Sequence, residues 1–363
     1  MQFRLATPAD DAALRALLRR DAMPGSVRLA FGREPNFRAA LELQGADAQI
    51  LLAEQDGEIV GTGSRVTREV FINGVPQRIG FLSGLRAAPQ VRGGTGLARG
   101  YRFLRELHDA QPVPAYLTTI MADNHEARAV LESGRAGLPR YRFVGNLTTH
   151  ALPVQCRRRT IGARGIEVRT AAELGVTETV RWLNAAGRQR QFFPVFNETD
   201  FGSPLLRGLE LPNMFIALRD GTPVGSMAVW DQSSFKRFHV AGYAPWLAAA
   251  RPIWNLVARL RGAQPLPPPG HALSVVFGAW WLVQPDDADV AAVLLERVLD
   301  EAAKTGAGFC VVGCMDDDPN ARLFEQRRTI ALHSRVYLVD WAEGSGLAER
   351  LDHRRLQLEA ALL

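Results

Sequence analysis

Apolar positions along this chain recur with a period of two in some stretches and near three and a half in others, and the order of the two is the first guide to its fold. Residues 79–85 read as a buried strand, and downstream Leu97, Tyr101 and Leu104 recur at helical spacing, with Phe103 and Leu107 widening the stripe. Residues 3–7 and 166–170 each read as a short strand ending in a threonine N-cap, with Asp10 and Glu173 placed three residues on, as a capping box requires. Asp56-Gly57 and Asp220-Gly221 each separate two strand-like runs and predict tight hairpins, as does Asn73-Gly74.

These signals repeat. The capped strands lie at an offset of 163 and the Asp-Gly turns at 164; further on, Pro89 aligns with Pro285 at 196, and Met121-Ala122-Asp123 with Met315-Asp316-Asp317 at 194. The second copy therefore carries an insertion of about thirty residues between Trp230 and His271, where six prolines crowd together. Each copy reads strand, helix, strand hairpin, further strand, helix, strand, helix and a final strand pair, an α/β (α+β) arrangement in which a mixed, mostly antiparallel sheet is flanked by helices. The expected organisation is a first domain over 1–152, a basic linker over 153–165, a second domain over 166–342 and a C-terminal helix over 343–363. Within the insertion, the stretch 240–260 with Trp246 and Trp254 is expected to form a hydrophobic cover over the second copy; a lid, a membrane-touching face or an acyl-chain groove are the other readings.

Composition narrows the class. With 363 residues and 47% hydrophobic content there is enough material for packed cores. No apolar leader is visible near Met1 and the longest apolar run is too short to span a bilayer, so a cytoplasmic protein is expected. Net charge is +5, yet only two of the 43 basic residues are lysine, and the densest basic run, Arg157-Arg158-Arg159, has no interleaved aromatics that would stack on bases; no nucleic-acid partner is expected. The three cysteines, Cys156, Cys310 and Cys314, suggest neither a disulfide framework nor a metal site.

Candidate chemistry centres on residues 88–98. Three glycines within four positions, Gly93, Gly94 and Gly96, join the strand to the helix through Leu97 and Ala98, so several backbone N–H groups and the positive end of the helix dipole converge where an anion would sit, with Arg92 and Thr95 alongside. A glycine-rich turn without ligand reads the same way in sequence. The third glycine of a dinucleotide fingerprint is replaced by Arg99, and no Gly-Lys-Ser/Thr follows. Strand order and loop together resemble the GNAT superfamily of acyl-CoA-dependent N-acyltransferases, over nearly the whole chain and twice. The resemblance implies acetyl-CoA as acyl donor. Its pyrophosphate would lie on the N–H groups of Arg92 to Ala98, its pantetheine along the strand containing Leu85 and Ala87, and Asn124 near the coenzyme A arm. Val91 stands where the family carries Gln or Arg.

The resemblance further implies a small amine or amino-acid-like acceptor, with chemistry in the first copy and the second shaping the acceptor pocket. Where the family often has a catalytic tyrosine this chain has Val130 and Leu131, so Tyr116 or Tyr141 is the candidate acid, each also readable as a packed strand aromatic. Residues 75–96 contain no Asp, Glu or His, which leaves Asp123 and His125 as the candidate base, or as a helix cap and an exposed side chain. The second copy reads Pro285-Asp286-Asp287-Ala288-Asp289 in place of the glycine loop, and its carboxylates would repel a pyrophosphate. Residues 188–196, rich in Phe and Arg, read as an acceptor contact or as a core-packing loop. Transfer of a longer acyl chain and a non-catalytic acyl-CoA-binding or interaction module remain alternatives.

Overall fold

The computed structural model describes residues 1–363 apart from 21, 24, 89–90, 92–94, 136, 155–164, 261–263, 285–286, 328 and 342–345. The first half comprises β1 (Gln2–Leu5), α1 (Asp11–Arg20), β2 (Val27–Arg33), α2 (Phe37–Leu41), β3 (Gln49–Gln55), β4 (Glu58–Ile72), β5 (Val75–Ala87), α3 (Gly96–Ala110), β6 (Tyr116–Met121), α4 (His125–Leu131) and β7 (Arg140–Pro153). The second contains β8 (Ile166–Thr170), α5 (Ala171–Leu174), α6 (Val176–Gly187), β9 (Arg190–Gln191), β10 (Met214–Arg219), β11 (Thr222–Trp230), β12 (Lys236–Tyr243), α7 (Pro245–Leu260), β13 (Ala272–Leu273) and β14 (Val275–Val283). It closes with α8 (Ala288–Lys304), β15 (Phe309–Met315), α9 (Arg322–Glu325), β16 (Ile330–Asp340), α10 (Leu347–Arg350) and β17 (Arg355–Leu356).

The local signals fold as their chemistry requires. Asp56, Asn73 and Asp220 all sit at φ near +50°, each followed by a glycine at φ near +80°, the left-handed pair that a two-residue hairpin needs. Thr170 accepts from the Glu173 N–H while the Glu173 carboxylate accepts from the Thr170 N–H, and Asp10 closes the matching turn on Thr7.

Twelve strands form one sheet in the order β1-β3-β4-β5-β6-β16-β7-β15-β14-β11-β10-β8. Within it only β5/β6 and β14/β15 run parallel among the described pairings. The order is palindromic about its centre, with one exchange. The last strand of the second half, β16, lies against β6 of the first half, while the last strand of the first half, β7, lies against β15 of the second. The final strand pair expected within each copy is therefore shared: β16 and β7 pair with each other across the middle of the sheet, each half donating one strand.

Helices cover both faces. On one, Tyr101 and Leu104 of α3 and Leu131 of α4 pack on Tyr116 and Ile120 of β6. On the other, Leu14 and Leu18 of α1 with Phe37 and Leu41 of α2 cover Ile50, Leu52 and Val66. The second half repeats this, with Val290, Leu294 and Val298 of α8 on one side and Val180 and Leu183 of α6, Phe193, Phe196 and Trp280 on the other. Phe192, Phe193 and Phe196 are at most 2% exposed, so residues 188–196 are a packing segment.

Two expectations change. Instead of one helix over 343–363, the described residues form the single turn α10, the two-residue β17 paired with β9, and a 3-10 turn over Ala360–Leu362. Leucines at 347, 358 and 362 are all buried on the protein body, and tertiary pairing overrides helical propensity. The insertion forms β12, paired with β2 of the first half, followed by α7; it packs Val240, Tyr243, Leu247 and Leu266 with Phe309 of the second half, but Trp246 and Trp254, 63% and 54% exposed, are not part of that cover.

Candidate functional site: two matching wedges, one of them filled

β5 and β6 are in register only at Gly80↔Tyr116 and Phe81↔Leu117, and then part to leave a wedge. The base of the wedge is fixed by close packing, because a Cβ on Gly80 would lie 2.0 Å from the Tyr116 ring. Beyond it, β4 pairs Ser64 with Ser83 and Thr62 with Arg86, so Gly84 and Leu85 have no register partner on β4, and Gly84 turns through φ +65°. Such a bulge re-aims backbone N–H groups out of the ladder.

The second half repeats this geometry. β14 and β15 pair through Phe277↔Val311 and then part; β11 pairs Ala228 with Ala279 and Ser226 with Leu282, leaving Trp280 and Trp281 between, with Trp280 at φ +57°. The bulge positions match at the offsets of 164 and 196 seen in the sequence.

The wedges differ in what fills them. The second holds the protein's own residues 357–361: the Trp280 N–H donates to Glu359 Oε2 at 2.6 Å, Gln357 Nε2 donates to the Trp281 carbonyl at 3.1 Å, and Ala360 sits where a Cβ on Gly313 would come within 2.7 Å of it. Glu359 also accepts from the Ala361 N–H at 3.0 Å. Burial pushes the Glu359 carboxyl up to about 7. Beside it the Lys236 ammonium, held down by burial, donates to the Ala361 and Leu363 carbonyls and lies 4.8 Å from the centre of the Phe277 ring. β14 is buried from Val276 to Val283, whereas β5 is partly open from Phe81 to Ala87, with Leu85 46% exposed.

At the first wedge, Arg92, Gly93 and Gly94 lie outside the described residues. On either side of them, the Val91 N–H donates to the Ala88 carbonyl at 3.0 Å, and Thr95 precedes α3 without a side-chain cap bond. Gly96, Leu97 and Ala98 form the first turn of α3, where backbone N–H groups have no acceptor within the helix. Leu85 and Ala87 are on the parting stretch of β5. In the second half the matching position is occupied by Asp287, which caps α8 by accepting from the Val290 N–H at 3.2 Å and pairs with Arg219 at 2.8 Å.

Of the candidate acid–base residues, Tyr116 is at the closed end of the wedge, fully buried. Its hydroxyl lies 2.9 Å from both Arg65 Nε and His108 Nδ1, and burial pushes its phenol up. Tyr141 shares its hydroxyl with Tyr101, itself pushed up to about 12 by burial. Asp123 and His125 follow β6 at the open end, both exposed, with Asn124 between them capping α4 by accepting from the Ala127 N–H at 3.1 Å. The cap is therefore Asn124, not Asp123. Sequence reasoning did not find Gln44 and Ser83. The Ser83 hydroxyl lies 2.7 Å from that of Ser64 and 3.1 Å from Gln44 Oε1, and Gln44 Nε2 donates to the Leu362 carbonyl at 2.6 Å. No spacing signal joins residues so far apart along the chain.

Solved structures show the same architecture. A GCN5-related N-acetyltransferase from Sphaerobacter thermophilus aligns over 95% of this chain and 96% of its own, at a TM-score of 0.56 and 14% identity. The fold is that of the GCN5-related N-acetyltransferases. A second such protein, from Kribbella flavida, matches over 93% of this chain and 70% of its own (TM-score 0.50, 14% identity). Saccharomyces cerevisiae N-myristoyltransferase, solved with bound myristoyl-CoA, matches over 98% and 85% (TM-score 0.59, 10% identity). No family model and no curated protein matches the sequence. Within this GNAT fold no cluster of metal-ligating side chains occurs among the described residues, and no described helix is long and apolar enough to cross a membrane.

Proposed function

We propose that the protein is an acyl-CoA-dependent N-acyltransferase whose donor occupies the first wedge. One observation carries the reading: two wedges of matching register and bulge, of which one is filled by residues 357–361 and the other is partly open along β5, ahead of a helix whose N-terminus has no side-chain cap. In this reading the N–H groups from Arg92 to Ala98 hold the pyrophosphate. The stretch of β5 at Leu85 and Ala87, where the strand has parted from β6, hydrogen-bonds pantetheine, with Asn124 beside the coenzyme A arm.

The acceptor amine attacks the thioester carbonyl carbon and the C–S bond breaks, leaving the sulfur as the thiolate of coenzyme A. Backbone N–H groups at the Gly84–Leu85 bulge are the donors for the oxyanion formed on the way. Asp123 and His125, at the open end of β6, are the titratable residues proposed to take the proton from nitrogen. Tyr116 is left out of the chemistry, since its hydroxyl is held between Arg65 and His108. The proposed donor is acetyl-CoA and the acceptor a small amine, with the second half shaping the acceptor's side of the wedge.

Calorimetric titration of acetyl-CoA into wild type and into Gly94→Glu tests this. One binding site per chain, lost when a carboxylate enters the loop, is the expected result. Failure of folded wild-type protein to bind acetyl-CoA or a long-chain acyl-CoA would remove the catalytic reading; tight binding of the long-chain donor alone would replace the acetyl donor.

A further inference from the structure

The insertion helix α7 carries an apolar face that the fold leaves unused. Of the large hydrophobic side chains exposed among the described residues, half are on this one helix: Trp246, Ile253, Trp254, Leu256, Val257 and Leu260. At 100° per residue Trp246, Ile253, Val257 and Leu260 fall on one stripe, with Leu256 and Trp254 on its two flanks. Leu247 and Ala258 point the other way, into the body, and Asn255 pins the helix by donating to the Leu266 carbonyl at 3.0 Å and accepting from the Leu266 N–H at 2.8 Å. The helix is thus held firmly by its inner side while its outer side stays bare. Scattered exposed leucines need no explanation; six large apolar side chains on one 16-residue helix do.

The surrounding charge selects the occupant. Between Asp231 and Asp286 the sequence contains no carboxylate, while apart from the buried Lys236 it contains Arg237, Arg251, Arg259 and Arg261. Arg237 and Arg259 are exposed, as is Arg28 on β2, whose guanidinium lies beside Gly242 at the end of β12. A second copy docking this segment on itself about a two-fold axis would bring arginines towards arginines with no acid of the segment to meet them, which disfavours self-association. An apolar stripe carrying two indoles, on a segment whose charged residues are all cationic, matches the interface of an anionic bilayer. There the aliphatic side chains enter the acyl region, the indoles lie at headgroup depth and the guanidinium groups meet lipid phosphates.

We propose that α7 is a monotopic docking helix that seats the protein on the surface of anionic lipid bilayers. The interaction is peripheral, and it is independent of which acyl donor or acceptor the first wedge takes.

Co-sedimentation with vesicles of phosphatidylcholine, with and without phosphatidylglycerol, tests it on the intact protein. Wild type should bind the anionic vesicles, more weakly at raised salt, and brominated lipid should quench its fluorescence through Trp246 and Trp254. Trp254→Ser combined with Ile253→Asp should lower the partition coefficient by on the order of tenfold or more, because two of the largest buried apolar contributions are removed. These side chains are exposed, so the variant should keep the wild-type melting temperature, and Val75→Asp on the distant β4–β5 hairpin should bind as wild type does. Absence of vesicle binding, or equal binding by the α7 variant, overturns the proposal. A dimer abolished by the same variant, without vesicle binding, would assign the face to a second copy instead.

Discussion

Gly80→Ala places one methyl group at the base of the first wedge, and the structure sets the size of its effect. The new Cβ would stand 2.0 Å from Cδ1 and 2.3 Å from Cε1 of Tyr116. The ring cannot step aside, because it is fully buried and its hydroxyl is bonded at 2.9 Å to both Arg65 Nε and His108 Nδ1. Overpacking of this kind costs about 1–3 kcal/mol, and loosening two hydrogen bonds adds about 1 kcal/mol each, giving roughly 3–5 kcal/mol in all. For a chain of 363 residues unfolding as one unit, at about 2.1 cal/mol/K per residue, that lowers the melting temperature by about 4–7 °C. The control is Gly63→Ala on the adjacent β4, where the nearest atom is 4.0 Å away and the change should be near zero. Differential scanning calorimetry of both variants decides. If Gly80→Ala melts with Gly63→Ala, the register that holds the wedge is not set by this contact and the reasoning fails.

Three further outcomes are expected. Glu359 has a folded-state value near 7 against an ordinary 4.5, so its contribution to stability is full below about pH 4.5 and is lost as pH rises through 7; the melting temperature of wild type relative to Glu359→Gln should fall over that window, and a flat difference would contradict the buried placement. His150, stacked on Phe324 and 4% exposed, is held below its ordinary 6.5 by burial. Acid therefore favours the unfolded chain, and wild type should lose stability relative to His150→Gln as pH drops below 6.5, as urea titrations at several pH values would show. Asp287→Ala should cost about 1 kcal/mol through the lost cap on α8, read by chemical denaturation, without creating an acyl-CoA site in the filled second wedge, read by binding stoichiometry.

What could be read from sequence was local. Asp56-Gly57, Asn73-Gly74 and Asp220-Gly221 give hairpins because a left-handed residue pair is a property of the dipeptide, and Thr170 with Glu173 caps a turn across three residues. The repeat offsets carried over to structure as far as the bulges at Gly84 and Trp280. The strand exchange was not legible: β7 and β16 have strand patterns that suit any neighbour, and only three-dimensional closure selects β15 and β6. Nor was the filling of the second wedge, because Gln357 and Glu359 look like solvent-facing positions of a helix until Trp280 and Trp281 are placed opposite them. Within the candidate site, the loop before α3 was proposed from its motif and the end of β6 from the order of elements, while Gln44 and Ser83 meet only through folding.

The exchange of β7 and β16 bears on ancestry. A half-chain that kept its own last strand at a bare sheet edge would invite any partner; two identical halves trading that strand close each other's edges, as a swapped homodimer does. Joining two such halves end to end makes the trade permanent. In the joined chain the second wedge is a socket for the protein's own residues 357–361, so two halves built on one strand plan differ in what fills them.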